Sequence, residues 1–157
     1  MRILPNLNFP EYSFSCRQEN EKEFIFDPIR KKWVVLTPEE WVRQHLVQFL
    51  ISDRQVPVGL IALEKTVTIN RLTKRFDLLI YSPQAQPIFL AECKAPGVLL
   101  SQNVLDQVAR YNLAYQVPYL LITNGLSHYC CKVDHQKNKI ILLSEVPLFS
   151  SMINLVI

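Results

Sequence analysis

The stretch RFDLLIYSPQAQPIFLAECKAP, residues 75–96, constrains the fold of this 157-residue chain more than any other. Two apolar runs flank a turn, and each has the length and content of a sheet strand. Each also carries charge where a buried strand should have none: Asp77 in the first, Glu92 and Lys94 in the second. If the runs pair antiparallel about Gln84-Ala85, Tyr81 opposes Ile88, Leu79 opposes Leu90 and Asp77 opposes Glu92. A shift of two residues sets Asp77 opposite Lys94 instead. Side chains alternate along a strand, so either register puts the three charged groups on one face, at the strand ends away from the turn. A slip of one residue would split them and turn Phe89 and Leu90 to the wrong sides.

Neighbouring carboxylates repel each other and lose hydration, so something must compensate. One solution is a salt-bridge cluster in which Lys94 and a nearby arginine neutralise the pair. The other is a divalent cation, which is hard, oxygen-seeking and content with one or two carboxylates plus water and phosphate. Lys94 then supplies a proton acceptor or a positive charge beside the reacting water. Cys93, between the two, reads as a small buried hydrophobe whose backbone carbonyl is the better metal-ligand candidate.

The flanking segments supply a frame. Residues 1–20 read as irregular, and 24–36 as a hairpin around Asp27-Pro28-Ile29-Arg30. Thr37-Pro38-Glu39-Glu40 starts a helix: Thr37 caps it, Pro38 suits its first position, and Glu40 has capping-box spacing. Trp41, Val42, His45, Leu46, Phe49 and Leu50 continue it to about Ser52, with Arg43 and Gln44 off that stripe. LIALEKTVTI is a strand in which Glu64 reads as an edge or supporting carboxylate. A second helix starts at Ser101 or Asn103, with Val104, Val108, Tyr111 and Tyr115 on one face, and ends before Pro118. YLLIT is a strand buried on both faces, and HYCCKV with KIILLS a final hairpin. The expected fold is α/β, an α-β-β-β-α-β core with a mixed central sheet flanked by helices and a hairpin at either end. It forms one domain: residues 1–36 as extension and hairpin, 37–125 as core, 126–157 as hairpin and tail.

Composition excludes several function classes. At 49% hydrophobic and 20% charged residues, the chain is globular. No apolar run approaches the roughly 18 residues of a membrane helix. Pro5, Asn6, Asn8 and Pro10 break up any signal-peptide core. The four cysteines, two of them adjacent, show no disulfide framework, so a cytoplasmic location is expected. Adjacent Cys130 and Cys131 point to opposite strand faces, so only His128 and Cys130 converge, too few for zinc. The net charge of +3 permits an anionic partner without requiring one. With only Gly59, Gly97 and Gly125, neither a P-loop nor a dinucleotide fingerprint can be written, so ATP-driven translocation is not expected of these residues.

An Asp on one strand, Glu-x-Lys on the next and a helix afterwards resemble the PD-(D/E)XK nuclease superfamily, with Asp77 and Glu92 15 residues apart. More closely, the chain resembles the N-terminal nuclease domain of type I restriction enzyme R subunits. The likeness rests on Lys31-Lys32-Trp33-Val34, Thr37-Pro38-Glu39-Glu40 with Arg43-Gln44, Arg75-Phe76-Asp77, Glu92-Cys93-Lys94-Ala95-Pro96-Gly97, Gln107-x-x-x-Tyr111-Asn112 and Thr123-Asn124-Gly125. Phe76 replaces the proline that names the superfamily. The resemblance implies a Mg²⁺- or Mn²⁺-dependent DNA endonuclease with Asp77, Glu92, Lys94 and Gln107 as catalytic residues. Metal ligands would be Asp77, Glu92 and the Cys93 carbonyl, joined by Glu40 if that residue faces the site rather than its cap. Tyr111, if not simply core, would border DNA together with Arg75, Lys74 and Arg71. Products would carry 5′-phosphate and 3′-hydroxyl ends. DNA and restriction-modification subunits are the implied partners; membranes are not, and a homodimer stays open. The alternative is a non-catalytic or partner-dependent module that binds nucleic acid.

Overall fold

The computed structural model describes residues 4–69 and 71–154. Thr37 Oγ1 accepts the Glu40 amide at 3.0 Å, which satisfies one of the open donors at the helix start and fixes where α1 (Pro38–Asp53) begins. Before it, β1 (Cys16–Glu19), β2 (Lys22–Asp27) and β3 (Lys32–Val35) form a small antiparallel sheet of their own. After it come β4 (Ile61–Ile69), β5 (Leu72–Tyr81), β6 (Pro87–Cys93), α2 (Gln102–Tyr115), β7 (Tyr119–Thr123), β8 (His128–Asp134), β9 (Lys139–Leu143) and α3 (Phe149–Ile153). The six strands β4 to β9 lie in sequence order in one sheet, antiparallel throughout except for the parallel pair β6–β7 that α2 connects. This is the expected mixed sheet. Residues 1–20 nevertheless contribute a strand, and a short C-terminal helix buries Phe149 and Met152.

The sheet is covered on both faces. Val42, Leu46, Val47 and Leu50 of α1 pack with Leu78, Ile80, Phe89, Ala91 and Cys93 on one side. Val108 and Tyr115 of α2 pack with Phe76, Leu79, Leu90, Leu120 and Ile122 on the other. Every residue of β7 is buried, as its unbroken apolarity requires. His45 sits in the aromatic cluster over α1, against Trp41 and Phe14, with Nδ1 2.8 Å from the Trp41 carbonyl. No helix among the described residues is long and apolar enough to cross a membrane.

The β5–β6 hairpin keeps Leu79 opposite Leu90, but Tyr81 pairs with Pro87 rather than Ile88. A bulge between Ile80 and Tyr81 absorbs the difference next to the turn, where Ala85 takes a left-handed φ of 61°.

Thr123-Asn124-Gly125 forms the turn that leaves β7. Asn124 Oδ1 accepts from the Leu126 and Ser127 amides, and its Nδ2 donates to the Val98 carbonyl at 2.9 Å. The turn therefore braces the loop that follows Lys94. Gly125 has φ +85°, and a Cβ there would lie 2.8 Å from Leu7 Cδ2 and 3.0 Å from Val42 Cγ2. Gly125→Ala should destabilise the domain by at least about 1–2 kcal/mol, the cost of a left-handed L-residue before any clash is counted. Urea denaturation measures it, and a loss under about 0.5 kcal/mol would show that the turn adapts.

Candidate active site

Asp77 reaches the site because β5 breaks its own alternation there. Phe76 packs toward α2, yet Leu78, two residues on, packs toward α1, although residues two apart in a regular strand share a face. Opposite, Glu64 takes a φ of 50°, and the ladder runs from Leu63↔Leu78 to Lys65↔Phe76 in constant register, with no bridge between Glu64 and Asp77. The expectation that Asp77, Glu92 and Lys94 share one regular face therefore needs correction. The irregularity sets the Asp77 carboxylate between α1 and the end of β6. There Oδ2 accepts the Cys93 amide at 2.8 Å, and Oδ1 lies 3.3 Å from Arg43 NH2.

Arg43, only 3% exposed, binds Glu40 through NH1 and, through NH2, lies 3.1 Å from Glu39, 3.5 Å from Glu64 and 3.3 Å from Asp77. Arg30 makes a second junction, with Asp27, Glu40 and Glu64. Asp27 is fully buried and folds its Oδ1 back on the Ile29 and Arg30 amides, so the turn between β2 and β3 aims Arg30 at the cluster. Arg75 also pairs with Glu64, which gives that residue the supporting part expected of it. Glu40 does not return the capping-box bond: its carboxylate takes Arg30, Arg43 and Gln44 Nε2, and the Thr37 amide donates to Val35. Two competing guanidinium donors outweigh one backbone amide.

Glu92 has a different cation. Its Oε1 lies 3.3 Å from Lys74 Nζ, but it is buried and has no partner with hydrogen-bond geometry. Burial, then the facing Asp77 carboxylate, pushes Glu92 up to about 7, with Lys74 pulling the other way. Lys94 does not neutralise the pair: β6 stops at Cys93, and Lys94 lies just beyond, its amide bonded to the Thr123 carbonyl at 2.8 Å. Lys94 comes within electrostatic reach of Glu39, whose carboxyl is raised by burial and Asp77 and lowered by Arg43 and Lys94. Lys94 forms no ion pair among the described residues.

Among the described residues no group of three or more histidine, cysteine, aspartate or glutamate side chains is arranged to hold a metal ion, so Asp77 and Glu92 offer two carboxylates whose cation shell would need water, phosphate or backbone oxygens to complete it. Six carboxylates (Asp27, Glu39, Glu40, Glu64, Asp77, Glu92) are ion-paired to four cations (Arg30, Arg43, Lys74, Arg75), so with Lys94 added the charges balance while Glu92 keeps its proton and are negative by one once it is ionised. Glu92 Oε1 has only the Lys74 ammonium, at 3.3 Å and without a hydrogen bond. A hard cation there would satisfy Oε1 and offset its repulsion with Asp77.

The other expected residues are more scattered. Gln107 is exposed on α2 and lines a cleft of about 560 Å³ with Asn103, Asp106 and Arg110; it forms no hydrogen bond to Asp77, Glu92 or Lys94. The Tyr111 side chain lies outside the described residues. Arg71 lies in the turn between β4 and β5, and Lys74 and Arg75 lie in β5. His128 bridges Thr123 Oγ1 and the Asn8 carbonyl, while Cys130 is buried. Sequence reasoning missed Arg30, Arg43 and Gln44 as parts of the site. The spacing of Glu39 and Glu40 to Arg43, four and three residues along a helix, was the available signal.

A mixed sheet between two helices, with paired carboxylates at the ends of adjacent strands, defines a restriction-endonuclease-like α/β domain. The chain belongs to the family of type I restriction enzyme R protein N-termini (HSDR_N), whose model matches residues 38–147. Among solved structures it is similar to a fragment assigned as an HsdR subunit of a type I restriction enzyme from Vibrio vulnificus YJ016. The identity is 20% and the TM-score 0.55, over 77% of this chain and 25% of that one. At that identity the likeness establishes the fold, and this chain spans about a quarter of the solved one. No curated protein matches the chain.

The raised Glu92 carboxyl has a consequence for stability. Folded Glu92 keeps its proton up to about 7, whereas an unfolded glutamate loses it near 4.5. Its stabilising contribution is therefore complete below the lower value and is lost as pH rises through the upper one. Glu92→Gln, studied in EDTA, should flatten the decline in stability between about pH 5 and 8. Relative to wild type it should gain on the order of 2–3 kcal/mol across that window. Parallel profiles from urea melts would contradict this.

Proposed function

We propose that this domain is a metal-dependent DNA endonuclease, hydrolysing phosphodiester bonds at Asp77, Glu92 and Lys94. The observation that carries the reading is the Glu92 carboxylate, buried beside Asp77 with Oε1 3.3 Å from Lys74 Nζ but without a hydrogen bond. Neither folding nor simple binding needs two carboxylates placed so close, since each repels the other.

Asp77, Glu92 and the Cys93 carbonyl would hold Mg²⁺ or Mn²⁺, with Glu40 kept back as the anchor of Arg30 and Arg43. The bound ion would supply Lewis-acid stabilisation of the charge developing on the phosphate. Lys94, held just past the strand end by Thr123, orients or deprotonates the attacking water. Water oxygen bonds to phosphorus, the bond from phosphorus to the 3′ oxygen breaks, and that oxygen takes a proton from solvent. Gln107, on the exposed side of α2, contacts the phosphate backbone from the cleft it shares with Arg110.

A second reading is favoured by one feature. Asp77 already faces Arg43 and Glu92 already faces Lys74, so both carboxylates have cations in place. A site of that kind suits a module that becomes active only with further subunits, or that binds nucleic acid without cutting it.

Cleavage of supercoiled plasmid in Mg²⁺ and in Mn²⁺ separates these. Lys94→Ala should retain DNA binding and lose at least ~100-fold in rate, the scale of a positioned proton-transfer group. Lys94→Arg should fail too, because a guanidinium holds its proton and its planar fork displaces the charge. Full activity in Lys94→Ala would contradict the mechanism. A wild type inert in both metals would favour the second reading.

A further inference from the structure

β4 and β9 are the two edges of the six-stranded sheet, and they are finished differently. An edge presents a row of unpaired N–H and C=O groups that another strand can join, and charge, proline or a bulge normally guards it. β4 is guarded: Glu64 interrupts the strand with a left-handed φ of 50°, and Lys65 follows it. β9 has no such device. Its residues 139–143, KIILL, hold one register with β8 throughout, contain no proline, and carry a single charge at Lys139. Ile140 is 60% exposed, Ile141 48% and Leu142 70%. Cross-strand partners share a face, so β8 shows how these side chains divide. Ile140 and Leu142 lie opposite Val133 and Cys131, which pack in the apolar layer under α2. Ile141 and Leu143 lie opposite Lys132 and Cys130, on the side of α1. The layer under α2 therefore runs out to the sheet edge and ends there in water.

We infer that β9 pairs antiparallel with β9 of a second copy of this chain, joining the two sheets into one across a two-fold axis at Ile141. Ile141 is the midpoint of the strand, and that register alone pairs every residue of β9 within the two strands. Ile140 then opposes Leu142 of the second copy, and Leu142 its Ile140, so these apolar side chains cover one another on the α2 face. Ile141 meets its own counterpart on the other face, as an isologous interface requires. The same register brings Lys139 diagonal to Glu145 of the second copy, a residue whose side chain is 77% exposed. A strand that is apolar in the middle, with a cation at one end and an anion past the other, is complementary to itself run backwards. That selects a second copy over an unrelated strand. The guarded β4 edge stops further addition, so the assembly closes as a dimer. Pairing of this kind reverses the strand direction, and the Asp77–Glu92 sites of the two copies open at opposite rims of the joined sheet. At ~4.8 Å per strand they lie about 38 Å apart along it, so each works on its own phosphate. The pairing itself does not depend on the endonuclease reading.

The test is sedimentation velocity of the full chain from about 1 to 300 µM, the range in which an interface this small dissociates. The wild type should pass from monomer to dimer across it. Ile141→Lys sets two ammonium groups opposite each other at the axis; it should weaken the dimer at least ~tenfold and keep the wild-type Tm at the dilute end. Lys139→Glu and Glu145→Lys should each weaken it about threefold, and the two changes together should restore it. That rescue marks the self-paired register, because a contact through any other surface would not show it. A wild type that is monomeric at every concentration would overturn the pairing. So would a dimer that Ile141→Lys leaves intact, a double charge reversal without rescue, or growth beyond two copies.

Discussion

Arg43 places a guanidinium, almost wholly out of water, among Glu39, Glu40, Glu64 and Asp77. Taking that charge from water costs several kcal/mol, which only close carboxylates return. The first turn of α1, the left-handed residue of β4 and the root of β5 are therefore bound to one group. Arg30 ties the small N-terminal sheet to the same cluster. Apolar residues of similar volume would hold these elements together as well, and more cheaply. What the charges add is a fixed position for Asp77 beside Glu92.

Departures from local rules concentrate at this place. β5 loses its alternation at Asp77, Glu64 adopts a left-handed backbone, and Glu92 keeps a buried oxygen without a hydrogen bond. A regular ladder at this point would bridge Glu64 to Asp77 as it does their neighbours. The irregularity instead lets Asp77 meet Arg43 on one oxygen and the Cys93 amide on the other. Strain gathered at one site is the pattern expected where function sets the geometry.

Much of the scaffold was legible in the sequence, because each core element announces itself locally. Thr37-Pro38 marks the start of α1, unbroken apolarity marks β7, and Leu79 does oppose Leu90. The N-terminal strand, four exposed residues without alternation, gave no such signal. At the site, the pairing of Asp77 with Glu92 followed from the hairpin, but their counterions did not. Lys74 and Arg43, rather than Lys94, occupy those places, since the missing bridge between Glu64 and Asp77 and the end of β6 decide where side chains point. Those are tertiary facts, and neither periodicity nor spacing encodes them.

The central claim is that Asp77 and Glu92 form a divalent-cation site in which Glu92, raised to about 7, must lose its proton to bind. Isothermal titration of Mn²⁺ near pH 7, in buffers of different ionisation enthalpy, measures affinity and proton release together. The account predicts one ion per chain, release of about half a proton, and loss of both in Glu92→Gln. Equal binding by wild type and Glu92→Gln, with no proton released, would contradict it.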